Sequence, residues 1–484
     1  MRAPCHAAPP ATAPRACADM APEAVLLVTL EDGTEVAVRN DLRRVTTYVL
    51  IEQGRWFEHE WDLLRRVATP GATVFDIGAN HGVYALALAR RVGPSGRVVA
   101  FEPGADPASL LARAAAEAGL SWLELREHAI GDRDGGLSLI AEGGCEEARV
   151  TDSGAGGAEI DCRRLDTVWQ ELGRPDPCIL KIDVEGAEAL VFEGARELLD
   201  ATSPLVMFEI SGDRRRAIDL CRRLAGFGFS PWRYLPDLGL LVPAEPGNCS
   251  SFQLNLVALG SDRAAALAAA GLLVPREEEA EEPMTIEAAL DAAFELLADS
   301  GSIPAPGRFA RAGKALRRIE SHLEEVPEAP AYPYRALAYR LSMALGEPER
   351  GARHLGAVQA AIRRQPVTTP PPMAMSPWLD HVPPGRELAA WIQIDLFDRM
   401  LCAHNWSSRF LPTEILGLLE ELRGNPFFPP HLERRRQLRR TLRGLQPALE
   451  PGPATAALRP LPGAAGGDRQ WLIPRATSAK LRPQ

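Results

Sequence analysis

The feature that most restricts how this chain can fold is an alternation that begins after Pro70-Gly71 and continues to about Gly260. Short apolar runs of strand type occupy Thr73 to Ile77, Val98 to Phe101, Glu124 to Ile130, Cys178 to Ile182 and Leu205 to Ile210. Between them lie runs with helical spacing, at 83–91, 107–118, 187–199 and 214–224. Strands alternating with helices predict a parallel sheet with crossover helices packed on its faces. A late pair, about Trp232 to Leu235 and Phe252 to Leu259, has no helix between and predicts an antiparallel hairpin at the sheet edge. Ahead of the alternation, residues 25–30 and 35–38 flank an Asp-Gly turn and read as two short strands, followed by helix from Trp56 to Val67.

Beyond the alternation the pattern changes. The charged, Pro-ended run Arg276 to Pro283 marks a linker, placed at 263–284. Helical periodicity follows in Ile286 to Leu297, Phe309 to Leu323, Tyr334 to Leu345 and Ala352 to Ile362. It resumes at Glu387 to Met400 and Pro412 to Leu422, after a proline-rich stretch at 366–384 that must be irregular. These elements predict an all-α domain over 285–445, loosely like tetratricopeptide-type repeats but without a clean period of ~34 residues. Trp378, Trp391, Trp406 and Phe427-Phe428 are candidates for its core. The arginine-rich helix Glu433 to Arg443 reads as a solvated face, since no aromatic residues interleave it as in a nucleic-acid platform. Residues 1–22 and 446–484 are rich in Ala, Pro or Gly and read as a disordered lead-in and tail, with Met20 an alternative start to Met1.

At 484 residues, 46% apolar and 24% charged, the chain has enough apolar content for several cores. Its net charge of −10 gives it no general electrostatic claim on nucleic acid or anionic membrane. The eight cysteines stand singly, which predicts neither a disulfide framework nor a zinc site and suits a reducing compartment. The longest apolar stretch, Ala264 to Val274, is too short to span a bilayer. No apolar core of a secretory signal opens the chain, so the expected location is the cytoplasm.

The chemistry is concentrated where the strand candidates end. Val74 to Gly82 runs from an apolar strand into a glycine-containing turn and a helix. Gly78 and Gly82 permit close backbone approach to a ligand, while Asp76 sits at the strand's carboxyl end, where doubly wound sheets bind ligands. Glu102, at the end of the next strand, can accept hydrogen bonds from both ribose hydroxyls, so the pair predicts a nucleoside-containing cofactor. The dinucleotide fingerprint G-x-G-x-x-G is absent, with Asn80 and no middle glycine between Gly78 and Gly82. A sulfonium cofactor without phosphate, S-adenosylmethionine, suits this loop and its carboxylate better than a pyrophosphate. Asp132, in Ala129 to Asp132, can accept the adenine amine with Ile130 against the ring; a plain turn residue is the alternative. Lys181, Asp183 and Glu185 alternate along an extended chain and so share one face. His81 reads as a loop residue, His128 as a core histidine, and Tyr84 as packing on either core or cofactor.

These segments together resemble the FkbM-type S-adenosylmethionine-dependent methyltransferases. The likeness rests on Pro70-Gly71 before Val74 to Gly82, Gly96 to Val98 leading to Phe101-Glu102-Pro103, and Ala129 to Asp132. It extends to Leu165-Asp166, Lys181 to Glu188 with Gly194-Ala195, and Pro204 to Glu209. It covers about residues 45–260. The chain departs from the family in showing Ala114 to Ala116 where an asparagine often stands. The resemblance implies a seven-stranded class I sheet with an antiparallel edge strand, forming a domain over 23–262. It also implies O-methylation of a hydroxyl on a sugar, glycan, glycolipid or polyketide-like acceptor. Asp76, Gly78 and Asn80 would then line the methionine end, Glu102 the ribose and Asp132 the adenine.

A hydroxyl is a poor nucleophile until its proton is taken or its oxygen polarised. Lys181, Asp183, Glu185 and Glu209 are the catalytic candidates, with Asp183 or Glu185 as base. Asp183 and Glu209, on neighbouring strand ends, are candidates to hold an optional Mg²⁺. Transfer driven by proximity alone is the alternative. The glycine-rich insertion Glu142 to Ala158 reads as a lid over the acceptor. The helical domain is expected to bind a partner, present the acceptor or mediate self-association. Two rival functions are a nucleotide-dependent oxidoreductase and a non-enzymatic scaffold built on a degenerate methyltransferase fold.

Overall fold

The computed structural model describes residues 25–141, 148–151, 158–249, 253–274, 284–297, 305–325, 331–364, 430–442 and 458–460, with a few positions between 417 and 423. The lead-in and Met20, the prolines at 366–384, the aromatic residues from Trp378 to Phe428 and most of the tail lie outside them. So do the charged run Arg276 to Pro283 and most of the insertion read as a lid.

The chain opens with β1 (Val25–Thr29) and β2 (Glu35–Arg39), which pair antiparallel. Then come α1 (Val45–Gln53) and α2 (Glu60–Val67). The spine of the α/β half is β3 (Thr73–Ile77), α3 (Val83–Val92), β4 (Arg97–Phe101), α4 (Ala105–Glu117) and β5 (Leu123–Arg126). A smaller sheet interrupts it: β6 (Ala129–Gly131), β7 (Gly135–Ala141), β8 (Ala148–Thr151) and β9 (Ala158–Arg164). The spine resumes with α5 (Leu165–Glu171), β10 (Pro177–Ile182), α6 (Glu188–Gly194), α7 (Arg196–Ala201), β11 (Leu205–Glu209) and α8 (Arg214–Ala225). It closes with β12 (Ser230–Leu235), β13 (Leu240–Pro243), β14 (Asn255–Leu259) and α9 (Ser261–Ala269).

The main sheet has the order β5-β4-β3-β10-β11-β14-β12-β13. Strands β5 through β11 in that order are parallel; β14 runs antiparallel to both β11 and β12. Eight strands replace the seven expected. The chain leaves β12 through a turn at Gly239 and adds β13, which runs antiparallel to β12 at the sheet edge, while β14 returns between β11 and β12 and is internal. Central strands such as β4 are buried on both faces and so carry continuous apolar runs rather than alternation. One core lies against α1 to α4, the other against α5 to α8.

Two expected elements divide. The run Glu124 to Ile130 splits at His128, whose ring packs edge-on against Phe101 at 5.6 Å, and its second part joins β9 in the smaller sheet. The helix expected over 187–199 breaks at Ala195, because the buried Asp166 carboxylate accepts from the amides of Glu197 (3.1 Å) and Leu198 (3.0 Å) and starts α7 afresh. Helix α1 has no counterpart in the sequence reading. The linker expected from 263 is helical in its first part, and Leu272 and Leu273 are buried against the α/β half.

Among the described residues the helical half contains α10 (Ile286–Leu297), α11 (Ala305–Glu325), α12 (Ala331–Ala344), α13 (Pro348–Arg364) and α14 (Pro430–Leu442), around a separate core. The arginine-rich α14 is not a solvated face. Arg435, Arg436 and Arg439 are buried, and Arg436 donates to Glu433 at 2.6 and 2.8 Å and to Glu420 at 3.2 Å. The final strand β15 (Leu458–Pro460) pairs antiparallel with β1. No helix among the described residues is long and apolar enough to cross a membrane.

Candidate active site

Parallel register places the first pair of site residues. Lys181 on β10 lies beside Asp76 on β3, so both side chains leave the sheet on the same face. The Lys181 ammonium sits 3.1 Å from Asp76 Oδ1 and 3.5 Å from Asp183 Oδ2, donates to the Gly78 carbonyl at 3.2 Å and lies 5.2 Å from the Tyr84 ring centre. Burial alone would lower its pKa, but the carboxylates of Asp76, Asp183 and Glu58 outweigh that and the net shift is upward. Lys181 is thus a permanent cation that ties carboxylates together.

Gly78 adopts φ +79°, and a Cβ there would stand 1.8 Å from the Asp183 carbonyl oxygen. Glycine is required because the β3 and β10 loops touch backbone to backbone. The turn's amides are all used within the protein. Gly78 and Ala79 donate to the Phe101 carbonyl at 3.0 and 2.9 Å, and Gly82 to Ala79 at 2.8 Å. Asn80 donates to Glu102 Oε2 and His81 to Asn80 Oδ1, both at 2.8 Å. The other Glu102 oxygen accepts from the Gly104 amide at 2.7 Å.

Next to this turn the protein encloses a cavity of about 400 Å³. Its walls bring together Gly78, Asn80, Lys181, Asp183, Glu185 and Glu209 of the expected residues. The same-face argument holds for Lys181 and Asp183 only. The strand ends at Ile182, and Glu185 reaches the cavity through a turn at φ +51°. Single carboxylate oxygens of Asp183, Glu185 and Glu209 lie within 4.8 Å of one another. Glu209 accepts from the Ser211 hydroxyl and has Arg216 at 3.6 Å, yet burial and the Asp183 charge push its pKa up to about 8.

Other expected residues stand elsewhere. Asp76 is fully buried behind Lys181 and off the cavity wall. Glu102 reaches the cavity only through Asn80. Ile130 is packed in the core, and Gly82 begins α3 against Leu111. Asp132 is exposed with Arg133 at 3.6 Å, because β6 belongs to the smaller sheet and carries it away from the central strand ends.

Sequence reasoning missed Glu58, a cavity-wall carboxylate only 6% exposed. It accepts from the Tyr84 hydroxyl at 2.7 Å, the Trp56 indole at 3.0 Å and the Asn255 amide at 3.0 Å. Burial and then the Asp183 charge raise its pKa, opposed by the bonds from Asn255 and Tyr84 and by the Lys181 charge. The one signal for it was an acid directly after Trp56-Phe57, within an otherwise helix-forming run. His81 also lines the cavity, its pKa lowered by burial to about 4.

Residues 76–231 match the Methyltransferase FkbM domain family. The chain contains an FkbM methyltransferase domain. Among solved structures it is similar to the methyltransferase FkbM of Methylobacillus flagellatus KT at 16% identity and TM-score 0.28, covering 41% of this chain and 50% of that one. It therefore spans half the length of that protein. It is also similar to a SAM-dependent O-methyltransferase of Thermotoga maritima, at 14% identity and TM-score 0.26, covering 54% of this chain and 96% of that one. A third is an O-methyltransferase of Bacillus cereus in complex with SAH, at 15% identity and TM-score 0.25, covering 45% and 82%. Among curated proteins the chain has no significant match.

Proposed function

We propose that the FkbM domain binds S-adenosylmethionine and methylates a hydroxyl group on a sugar, glycan, glycolipid or polyketide-like acceptor. The observation that carries the cofactor assignment is the turn itself: every amide from Gly78 to Gly82 is used within the protein. A dinucleotide needs such amides for its pyrophosphate, whereas S-adenosylmethionine carries no phosphate. The cavity wall also gathers the acids Glu58, Asp183, Glu185 and Glu209 around one lysine, oxygen-rich surroundings that suit a cation. Gly78, Asn80 and Tyr84 would hold the cofactor; when bound, it supplies a methyl carbon made electrophilic by sulfonium.

The remaining chemistry belongs to the chain's own acids. Lys181 fixes the Asp183 carboxylate at 3.5 Å, so Asp183 is placed to take the acceptor's hydroxyl proton. Glu185 shares the site and is the alternative base. Glu209 holds a proton at neutral pH and joins the ionised set only toward pH 8. Three carboxylates this close also suit an oxygen-loving cation such as Mg²⁺, and chelation separates the two forms of the mechanism.

Calorimetric titration of the full chain with S-adenosylhomocysteine and NADH tests the reading. The expected result is saturable binding of the first only. Asp183→Asn should keep that binding while methyl transfer to accepting glycans falls by about 10²-fold or more, the scale of a lost general base. Binding of NADH alone, or of neither, overturns the proposal.

A further inference from the structure

We infer that α14, far along the chain from the methyltransferase domain, positions one wall of its cavity through the ion pair between Arg435 and Glu52. The wall in question is the segment 45–58. Val45 and Thr46 line the cavity from the first turn of α1, and Trp56, Phe57 and Glu58 line it just beyond the helix. Every residue of α1 from Thr46 to Glu52 is buried, so this short helix must be covered on both sides. The methyltransferase core covers one side. Helix α14 packs against it and places Leu438 in that same core.

The polar contacts match this placement. The Glu52 carboxylate is fully buried, with Arg435 Nε at 3.7 Å and its side chain 9% exposed. Arg434 donates to the Glu52 carbonyl at 3.2 Å, satisfying one of the open carbonyls at the end of α1. A carboxylate in such surroundings needs a cation, and α14 brings one. Leu432, three residues before Arg435 on α14, belongs to the core of the helical half. Strand β15 completes the clasp by pairing with β1, which precedes α1. The helix therefore reaches from the second core to the back of the site wall, and the expected boundary near 262 divides the fold but not the machinery.

The test uses the full chain and hydrogen exchange of residues 45–58, with S-adenosylhomocysteine affinity as a second readout. Its affinity arm rests on the proposed cofactor; its exchange arm does not. In Arg435→Met, exchange in 45–58 should quicken by about tenfold or more and affinity should fall several-fold. Arg435→Lys, which keeps the charge, should restore most of both. Glu52→Gln combined with Arg435→Gln, which removes both charges, should lie nearer the wild type than Arg435→Met does. If Arg435→Met quickens exchange only in α14 itself, the helix merely docks and the inference is overturned. Should the wild type bind no S-adenosylhomocysteine, the cofactor reading fails, and exchange in 45–58 alone decides this one.

Discussion

Glu209 shows how one residue's surroundings set its behaviour. In the unfolded chain it ionises at its ordinary 4.5, while in the folded protein burial and Asp183 hold its proton until about pH 8. Between those values the folded state binds more protons, so stability falls as pH rises through the window. Below 4.5 the penalty is absent; above 8 it is complete. Glu209→Gln removes this contribution. Its melting temperature should match the wild type's in acid and exceed it by several degrees above pH 8, with the gap opening across the window. Glu60, also raised to about 8 by burial and then Glu58, keeps part of the slope in both proteins. A constant offset at all pH values would show that Glu209 ionises normally. At this scale the sequence displayed the acids but not their states. Burial of Glu58 and the capture of Lys181 depend on contacts with Asn255 and Asp76 that are distant in the chain.

Between elements, the decisive contacts are close backbone approaches that only glycine allows. Gly78 touches the carbonyl of Asp183, and Gly194 on α6 would place a Cβ 1.8 Å from the Gly131 carbonyl of β6. Both carry the same steric conflict, but only the first adjoins the cavity. Gly78→Ala and Gly194→Ala should each destabilise the chain by roughly 1–3 kcal/mol or more in denaturant titration. Gly78→Ala alone should also abolish S-adenosylhomocysteine binding in its folded fraction; equal binding by the two variants would sever the turn from the site. The central strands and their helices were legible because buried parallel strands and amphipathic helices write their own periods. The break between α6 and α7 was not, since the one local signal in Ala187 to Leu199 is Gly194, which α6 still includes, and the interruption comes from Asp166 on α5. The smaller sheet escaped for a related reason: the polar run Arg126 to His128 interrupts the alternation of Leu123 to Gly131, but nothing local shows that Ala129 to Gly131 pairs with β9 instead.

Across the whole molecule, periodicity describes each helix's own faces and is silent about which core receives them. That is why a linker was expected where Leu272 and Leu273 are buried, and a solvated face where Arg436 is 2% exposed. The halves are joined at a second place besides α14. Arg233 on β12 donates to the carbonyls of Gly346 at 2.6 Å and Leu345 at 3.0 Å, just past the end of α12. Beside it, Leu235, Leu238, Leu240 and Val242 form an apolar cluster that Phe309 of α11 joins. The guanidinium thereby closes two carbonyls that α12 leaves open, and it does so from the strand next to the sheet edge, away from the strand ends that build the cavity. Arg233→Ala removes both bonds and should cost about 1–3 kcal/mol of coupling between the halves. Scanning calorimetry should then show the helical half unfolding ahead of the α/β half, with the α/β transition still raised by S-adenosylhomocysteine. If Arg233→Ala melts with the wild-type profile, the apolar cluster and α14 hold the halves together without it.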